Sequence, residues 1–227
     1  MAASRRHSAG TATRVALELG GRKVFASALD WPGWCRSGQD ESLALEHLAD
    51  YAPRFAAIAA VAGLDLPVGA AEGFDVVERL PGSTTTDFGA PGGIAEADYD
   101  DLTPAEAARA AQLVRAAWTV LDRVVADSPP ILRKGPRGGG RDREAIAEHV
   151  EAAEAAYARK AGLGPIGGGS SGAAATAARR TQIESVLRGA RRARPSSPRV
   201  WPPRYAARRI AWHVLDHAWE IEDRRDR

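Results

Sequence analysis

Residues 209–223, RIAWHVLDHAWEIED, constrain the fold more than any other stretch of this sequence. With about 100° of rotation per residue, a helix here carries an apolar stripe that includes both of its histidines. That stripe consists of Ile210, His213, Val214, His217 and Ile221. The roughly opposite side is also apolar and presents Trp212, Leu215 and Trp219. A helix of this kind must be covered on both sides.

An upstream segment repeats the pattern of the histidine stripe. Residues 146–150, IAEHV, match residues 210–214, IAWHV, and place His149 on an Ile/Val stripe. The chain has only five histidines, and three of them fall on inward faces of predicted helices. Imidazole is the commonest metal ligand near neutral pH, and three imidazoles from two facing helices leave an open position on the ion. The sequence therefore predicts a metal site at His149, His213 and His217.

The same histidines also have a simpler interpretation. Two histidines four residues apart occur often on helices by chance. A single inward histidine is more often a hydrogen-bonded core residue than a ligand. The third inward histidine is what favours the metal site over this interpretation.

The second half of the chain, residues 103–226, resembles the DinB-like superfamily of four-helix bundles, which includes mycothiol- and bacillithiol-dependent enzymes. In that family a histidine on the second helix and an HxxxH pair on the last helix hold a divalent metal. Here His149 in IAEHVEAAEAAY matches the first, and His213 and His217 in AWHVLDHAWEIED match the pair. The resemblance implies an up-and-down bundle, a divalent ion such as zinc, nickel, iron or manganese, and a low-molecular-weight thiol as co-substrate.

The ligand set bears on the type of reaction. Three neutral imidazoles leave an ion its full charge and a free position, where a water or a substrate thiol can be acidified. Together with the resemblance, this favours a metal-dependent thiol transferase that acts on a small molecule, with a hydrolase as a close rival. The alternative from another class is a non-catalytic bundle, with or without metal, whose N-terminal domain mediates protein contacts.

Some further residues are candidates for the chemistry. Tyr157 lies on the histidine stripe and could donate a hydrogen bond to a substrate, although a core tyrosine needs no such role. Acidic side chains that fall off the stripe could orient the imidazole N–H groups. They are Glu148, Glu154, Asp216 and Glu220.

Two other features carry weaker chemical signals. The glycine-rich loop before the His149 helix carries Lys134, Arg137 and Arg141, which either hold an anion or are simply solvated. Cys35 has no identifiable base beside it, so we expect an unreactive thiol.

The N-terminal part has the pattern of a small mixed domain. The predicted elements are strands at residues 15–19 and 24–29, a loop or bulge at 30–38, a helix capped by Asp40 that kinks or restarts at Pro53, and a strand at 74–80. Gly20 and Gly21 favour a hairpin between the first two strands. This β-β-α-β order, with ALDWPGWCRSGQDESLALEHL, resembles the HicB-like antitoxin fold, which binds a partner. Because neither a toxin-like half nor a DNA-binding segment accompanies it, we interpret it as a structural partner of the bundle, with Trp31 and Trp34 in the contacts.

The chain thus divides into four parts, and the fold class is α+β. The parts are a disordered tail at residues 1–13, a β-β-α-β domain at 14–82, a linker at 83–102 and a four-helix bundle at 103–227. The linker is placed by its content of Gly, Thr and Asp. A capping box, Thr103-Pro104-Ala105-Glu106, starts the first helix of the bundle.

Composition limits the partners and the location. The net charge is +2 and much of the positive excess falls in tails and loops, so nucleic acid is not expected as a partner. No apolar run approaches the roughly 20 residues that span a bilayer, and the first residues lack the apolar core of a secretory signal. A single cysteine favours a reducing cytoplasm. We expect a cytoplasmic protein in which the Trp212/Leu215/Trp219 face is covered either by the N-terminal domain or by a second subunit in a homodimer.

Overall fold

The structure is a computed structural model that describes residues 12–135, 138–164, 172–192, 195, 197 and 199–225. It shows a four-stranded mixed sheet followed by several helices, so the predicted α+β class is confirmed. Residues 1–11 of the predicted tail lie outside the described residues, and the first strand begins at Thr13. None of the helices formed by the described residues has the length and apolar composition that a bilayer crossing requires.

The sheet lies in the N-terminal part of the chain. Its strands are β1 Thr13–Leu19, β2 Val24–Ala28, β3 Cys35–Gly38 and β4 Phe74–Pro81. Their order is β3-β2-β1-β4, and all neighbours pair antiparallel except β1 and β4, which run parallel. The hairpin predicted at Gly20 and Gly21 is confirmed, because Gly20 donates its N–H to the Lys23 carbonyl at 2.8 Å and joins β1 to β2.

The loop or bulge expected at residues 30–38 ends at residue 34, and residues 35–38 form strand β3 instead, so the prediction was wrong for these four residues. The turn formers reverse the chain within a few residues, and Trp34 donates its N–H to the Trp31 carbonyl at 3.0 Å. Gly33 adopts φ +100° in this turn, a conformation that favours glycine. The CRSG segment then pairs with β2 as a short edge strand. Its polar sequence lacks the alternation by which strands are predicted.

Two helices follow β3. They are α1 Glu41–Asp50 and α2 Ala52–Val61. Asp40 caps α1 as predicted, since its side chain accepts a backbone N–H of the first turn. Of the two outcomes expected at Pro53, the restart is observed, because Pro53 lies in the first turn of α2. Trp34 stacks on Phe55 with ring centroids 5.5 Å apart, and Trp31 meets the same ring edge-on at 6.0 Å.

Residues 83–102, predicted to be a linker, contain regular structure. They form helix α3 Thr84–Phe88 and a 3-10 helix, Glu96–Tyr99. The buried carboxylate of Glu18 on β1 ties this segment to the sheet, because it accepts hydrogen bonds from the Thr86 hydroxyl and from the amides of Gly92 and Gly93. The domain boundary placed within this segment stays a prediction.

Among the described residues, four long helices form the second half of the chain. They are α4 Pro104–Asp127, α5 Arg143–Lys160, α6 Ala173–Gly189 and α7 Pro203–Arg224. Helices α4 and α5 each contact both α6 and α7. The capping box predicted at the start of α4 is present, with Thr103 and Glu106 each accepting the backbone N–H of the other. Assignment of these helices to a DinB-like up-and-down bundle stays a prediction.

Helix α7 is buried on two sides, as the sequence predicts. One side carries the histidines and faces α5. On the other side, Trp212 meets Phe25 of β2 edge-on at 6.0 Å, and Trp219 meets Tyr51 at 5.1 Å. The N-terminal elements therefore cover this second side within one chain. The predicted homodimer, in which a second subunit covers this side of α7, stays a prediction.

Gly33 brings the β2–β3 turn close to α7. A Cβ atom on Gly33 would lie 2.6 Å from Cδ1 of Leu215, which is fully buried. Only a residue without a side chain lets the turn pack this closely on the helix.

Candidate metal centre

Three histidines from two helices converge on one point. His149 comes from α5, and His213 and His217 come from consecutive turns of α7. One ring nitrogen from each lies within 4.8 Å of the other two, and the ring centroids are 4.8 to 5.2 Å apart. Because a zinc–imidazole bond is about 2.1 Å long, nitrogens that share one tetrahedral ion lie about 3.4 Å apart. The rings must therefore move inward by about 1 Å to hold one ion.

The packing of neighbouring apolar residues directs the three rings toward each other. On α5, His149 lies between Ile146 and Val150, which are both fully buried. On α7, His213 and His217 are four residues apart, so their side chains lie on the same face of the helix. Since α5 and α7 pack against each other, the two stripes meet and the imidazoles meet with them.

His213 is the buried member of the set, with 7% of its surface exposed, while His149 and His217 are partly exposed. Its Nδ1 atom is buried and has no hydrogen-bond partner among the described residues. A buried polar atom without a partner costs about 1 to 3 kcal/mol. This atom is a candidate metal ligand, because a neutral imidazole nitrogen can offer an ion a lone pair. The exposed edges of the other two rings allow access from solvent.

Glu220 orients the His217 ring. The distance from His217 Nδ1 to Glu220 Oε2 is 2.9 Å, and Arg224 Nη1 donates to the other carboxylate oxygen at 2.6 Å. Arg224 in turn donates from Nε to the Arg133 carbonyl at 2.9 Å. In a neutral ring, Nδ1 then carries the proton and Nε2 is left free as a ligand. The hydrogen bond from His217 and the nearby Arg224 hold the pKa of Glu220 below its usual value against the effect of burial.

Burial disfavours the charged forms of His149 and His213. It lowers the pKa of His213 to about 2, and the charges of His217 and Arg209 act in the same direction. Burial also lowers the pKa of His149, with contributions from His217 and Arg141. At neutral pH the rings of His149 and His213 are therefore uncharged, which is the form that binds metal.

The remaining acidic candidates lie elsewhere. Glu154 is buried in an ion pair with Arg180 of α6, and Asp216 is paired with Arg36 of β3 at 3.0 Å. Glu148 is exposed. Of the four predicted carboxylates, the structure therefore brings only Glu220 into contact with an imidazole.

Tyr157 forms part of the wall of the site. Its ring lies edge-on to His213 with centroids 5.5 Å apart and also contacts Trp201 at 5.3 Å. Burial raises the pKa of the Tyr157 hydroxyl, although the nearby Arg209 opposes this effect, so the group is a proton donor at neutral pH. Its proposed hydrogen bond to a substrate stays a prediction.

The basic loop before α5 is partly engaged in internal contacts. Lys134 forms an ion pair with Asp142 at 2.6 Å and also donates to the Gly140 carbonyl. Arg141 is exposed. Arg137 lies outside the described residues.

Cys35 is buried, and Ser27 donates its hydroxyl to the thiol sulfur at 3.1 Å. Burial raises the pKa of the Cys35 thiol to about 12. An unreactive thiol, as predicted, agrees with this environment.

Two arginines near the site were not predicted. Arg224 has a signal in the sequence, since it follows Glu220 by four residues on a helix, the spacing of an ion pair. Arg209 lies one turn before His213, with its guanidinium 4.6 Å from the centre of the Trp212 ring and 5.5 Å from that of Tyr157. The contact of Arg209 with Trp212 has a helical spacing of three residues, but its contact with Tyr157 joins α7 to α5 and leaves no such spacing in the sequence.

Comparison of the chain with protein-family models, curated proteins and solved structures returns no match. The DinB-like and HicB-like resemblances therefore stay predictions that rest on the residues that carry them.

Proposed function

We propose that the protein binds a divalent metal ion through His149, His213 and His217 and acts as a metal-dependent enzyme on a small molecule. The observation that carries the proposal is the convergence of three imidazoles on one point, with the buried Nδ1 of His213 left unpartnered. Zinc, nickel, iron and manganese all accept imidazole ligands and are the candidate ions.

The residues around the site define what it offers to a substrate. A divalent ion with three neutral ligands would keep a free position and would lower the pKa of a thiol or water placed there. Glu220 lies 2.9 Å from His217 Nδ1 and so fixes the direction of that ring, with Nε2 free as the ligand when the neutral ring carries its proton at Nδ1. Tyr157 closes the side next to His213, while the partly exposed rings of His149 and His217 leave the approach from solvent open.

The reaction class we favour is thiol transfer, with hydrolysis as the rival. The DinB-like motif supports the first, because family members of this type activate a low-molecular-weight thiol. A single cysteine, Cys35, cannot form an intramolecular disulfide, which fits a reducing compartment, so we also propose a cytoplasmic location.

The test is a screen of low-molecular-weight thiols against electrophiles, together with ester substrates, on protein reconstituted with each of the four metals. We expect thiol consumption that requires metal and is lost in His213→Ala. His47→Ala is the matched control, because His47 is an exposed helical histidine whose ring contacts the Ser37 carbonyl, away from the three-histidine site. Turnover that survives in metal-free protein or in His213→Ala would contradict the proposal. Metal binding without turnover on any substrate would favour the non-catalytic alternative.

A further inference from the structure

A cavity of roughly 570 Å³ lies beside Glu220, at the end of the protein where α5 begins and α7 ends. It is lined by Arg133, Lys134, Gly135, Gly139, Gly140, Glu220 and Arg224. Its volume is in the range of cavities that bind small molecules. Glu220 belongs to both the cavity wall and the metal centre, because its other carboxylate oxygen contacts His217. The Glu220 carboxylate therefore links the cavity wall to His217.

The lining carries more positive than negative charge, although Lys134 is paired with Asp142 and Arg224 with Glu220. Three of the side chains are cationic and one is a carboxylate. Arg133 donates to the backbone carbonyl of Asp223 at 2.8 Å, so this contact does not neutralise its charge. The Asp223 carboxylate pairs with Arg54 instead. Arg224 uses Nη1 for Glu220, while its Nη2 atom is buried and has no hydrogen-bond partner among the described residues.

The glycines let the backbone approach these cations. Gly140 adopts φ +118°, and a Cβ atom there would lie 2.6 Å from Nη2 of Arg224. Gly139 has open space around it, so its backbone is accessible from the cavity. Guanidinium groups beside exposed backbone form a surface that suits the oxygens of a carboxylate or a phosphate.

We propose that this cavity binds an anionic group, a carboxylate or a phosphate, of the small molecule that reacts at the three histidines. The inference rests on the proposed function, and it names the class of substrate. The anionic end lies among Arg133, Lys134 and Arg224, and the reacting end extends past Glu220 toward the metal centre.

The first test uses inorganic phosphate as the probe and metal-free protein, prepared with a chelating resin. Amide NMR shifts are followed in a phosphate titration and in a succinate titration, with chloride keeping the ionic strength constant. We expect saturable shifts of the Gly139 and Gly140 amide signals. We also expect about tenfold weaker anion binding in Arg133→Gln, because the loss of one hydrogen bond to a charged group changes an affinity by about this factor. Lys134→Gln is a second variant that weakens binding in the same direction.

Arg79→Gln is the matched control, because Arg79 is an exposed arginine of β4 in an ion pair with Glu41 and is not part of the cavity lining. Absence of saturable binding of both anions, or equal binding by wild type and both cavity variants, would overturn the proposal. Because no metal is present, failure of the metal centre does not affect this result. The relative affinities for phosphate and succinate decide whether the cavity prefers a phosphate or a carboxylate group.

The second test connects the cavity to the substrate. With metal-loaded protein, thiols that carry a carboxylate are compared with their methyl esters. We expect Arg133→Gln to raise KM for the charged thiols several-fold and to leave the esters unchanged. If phosphate binds in the cavity but Arg133→Gln changes KM equally for the charged thiols and the esters, the cavity is an anion site that the substrate does not use, and the proposal is refuted.

Discussion

His213 carries a buried ring nitrogen that no described residue satisfies. Core histidines that serve stability alone normally have both ring nitrogens hydrogen-bonded or exposed. His217 has such a partner in Glu220, whereas His213 lies between aromatic rings, with Tyr157 at 5.5 Å and Trp212 at 6.1 Å between ring centroids. The unpaired nitrogen of His213 therefore lowers the stability of the metal-free protein, which agrees with the proposed metal site.

Replacing His213 by leucine tests this directly. In metal-free protein, His213→Leu should raise the free energy of unfolding by about 1 kcal/mol, because a side chain of similar volume replaces an unpaired polar one. With metal present, wild type should gain stability and the variant should not. Urea unfolding of both proteins with and without metal measures the effect. A clear loss of stability in the metal-free variant would mean that His213 has a structural partner.

Glu220→Gln tests the orientation of the second ring. Glutamine keeps the size of the side chain but removes the charge that attracts the His217 N–H, so we expect metal affinity to fall about tenfold. Competition with a chromophoric chelator measures the affinity. Glu222→Gln is the control, because Glu222 is on the same helix and pairs with Arg54 instead. Equal losses in both variants would exclude a specific role for Glu220.

Among the secondary-structure elements, the helices were easier to predict from the sequence than strand β3. The stripes around His149 and His213 predicted both helices and their inward faces, because burial dictates the side-chain period. Strand β3 was missed, since it is held by backbone pairing to β2 and its side chains carry no alternation. The role of Glu18 was missed for a related reason. Its three contacts come from residues 86 to 93, more than 60 positions away, and two of them are backbone amides.

The start of α4 gives a pH-dependent prediction. Burial tends to raise the pKa of Glu106, but hydrogen bonds from Arg204 and Thr103 outweigh it and lower the pKa from 4.5 to about 2. Because this pKa is lower in the folded state, the ionised Glu106 carboxylate stabilises the fold fully above pH 4.5. This contribution is lost as the pH falls toward 2. Glu106→Gln retains the cap and loses the ion pair.

We therefore expect Glu106→Gln to be less stable than wild type at pH 7 by about 0.5 kcal/mol, a value reduced for solvent screening of a partly exposed pair. The difference should disappear as the pH falls from 4.5 to 2. Urea unfolding at several pH values between 2 and 7 measures it. A difference that is constant over this range would show that the carboxylate charge does not contribute.

At the scale of the whole molecule, helix α7 joins the two halves of the chain. Its histidine side faces α5, and its tryptophan side lies on β2 and the α1–α2 junction. Ion pairs reinforce the second contact, with Arg36 joined to Asp216 and Arg54 joined to Glu222. A continuous core of buried apolar side chains runs through both halves.

Removal of the N-terminal half should therefore uncover α7. A fragment that begins at Thr103 would expose Trp212, Leu215 and Trp219, so we expect it to self-associate, while the intact chain is monomeric. Light scattering on both proteins measures this. A monomeric, soluble fragment would contradict the covering role of the N-terminal elements. A dimeric intact chain that dissociates on mutation of these residues would instead support the predicted homodimer.

A calorimetric titration of metal-free, full-length protein with zinc, nickel, iron or manganese ions measures metal binding itself. We expect at least one of these ions to bind with a stoichiometry of one per chain. We also expect His149→Ala, His213→Ala and His217→Ala each to abolish the binding and His47→Ala to leave it unchanged. No binding of any of the four ions, or binding that persists in His213→Ala, would contradict the three-histidine centre.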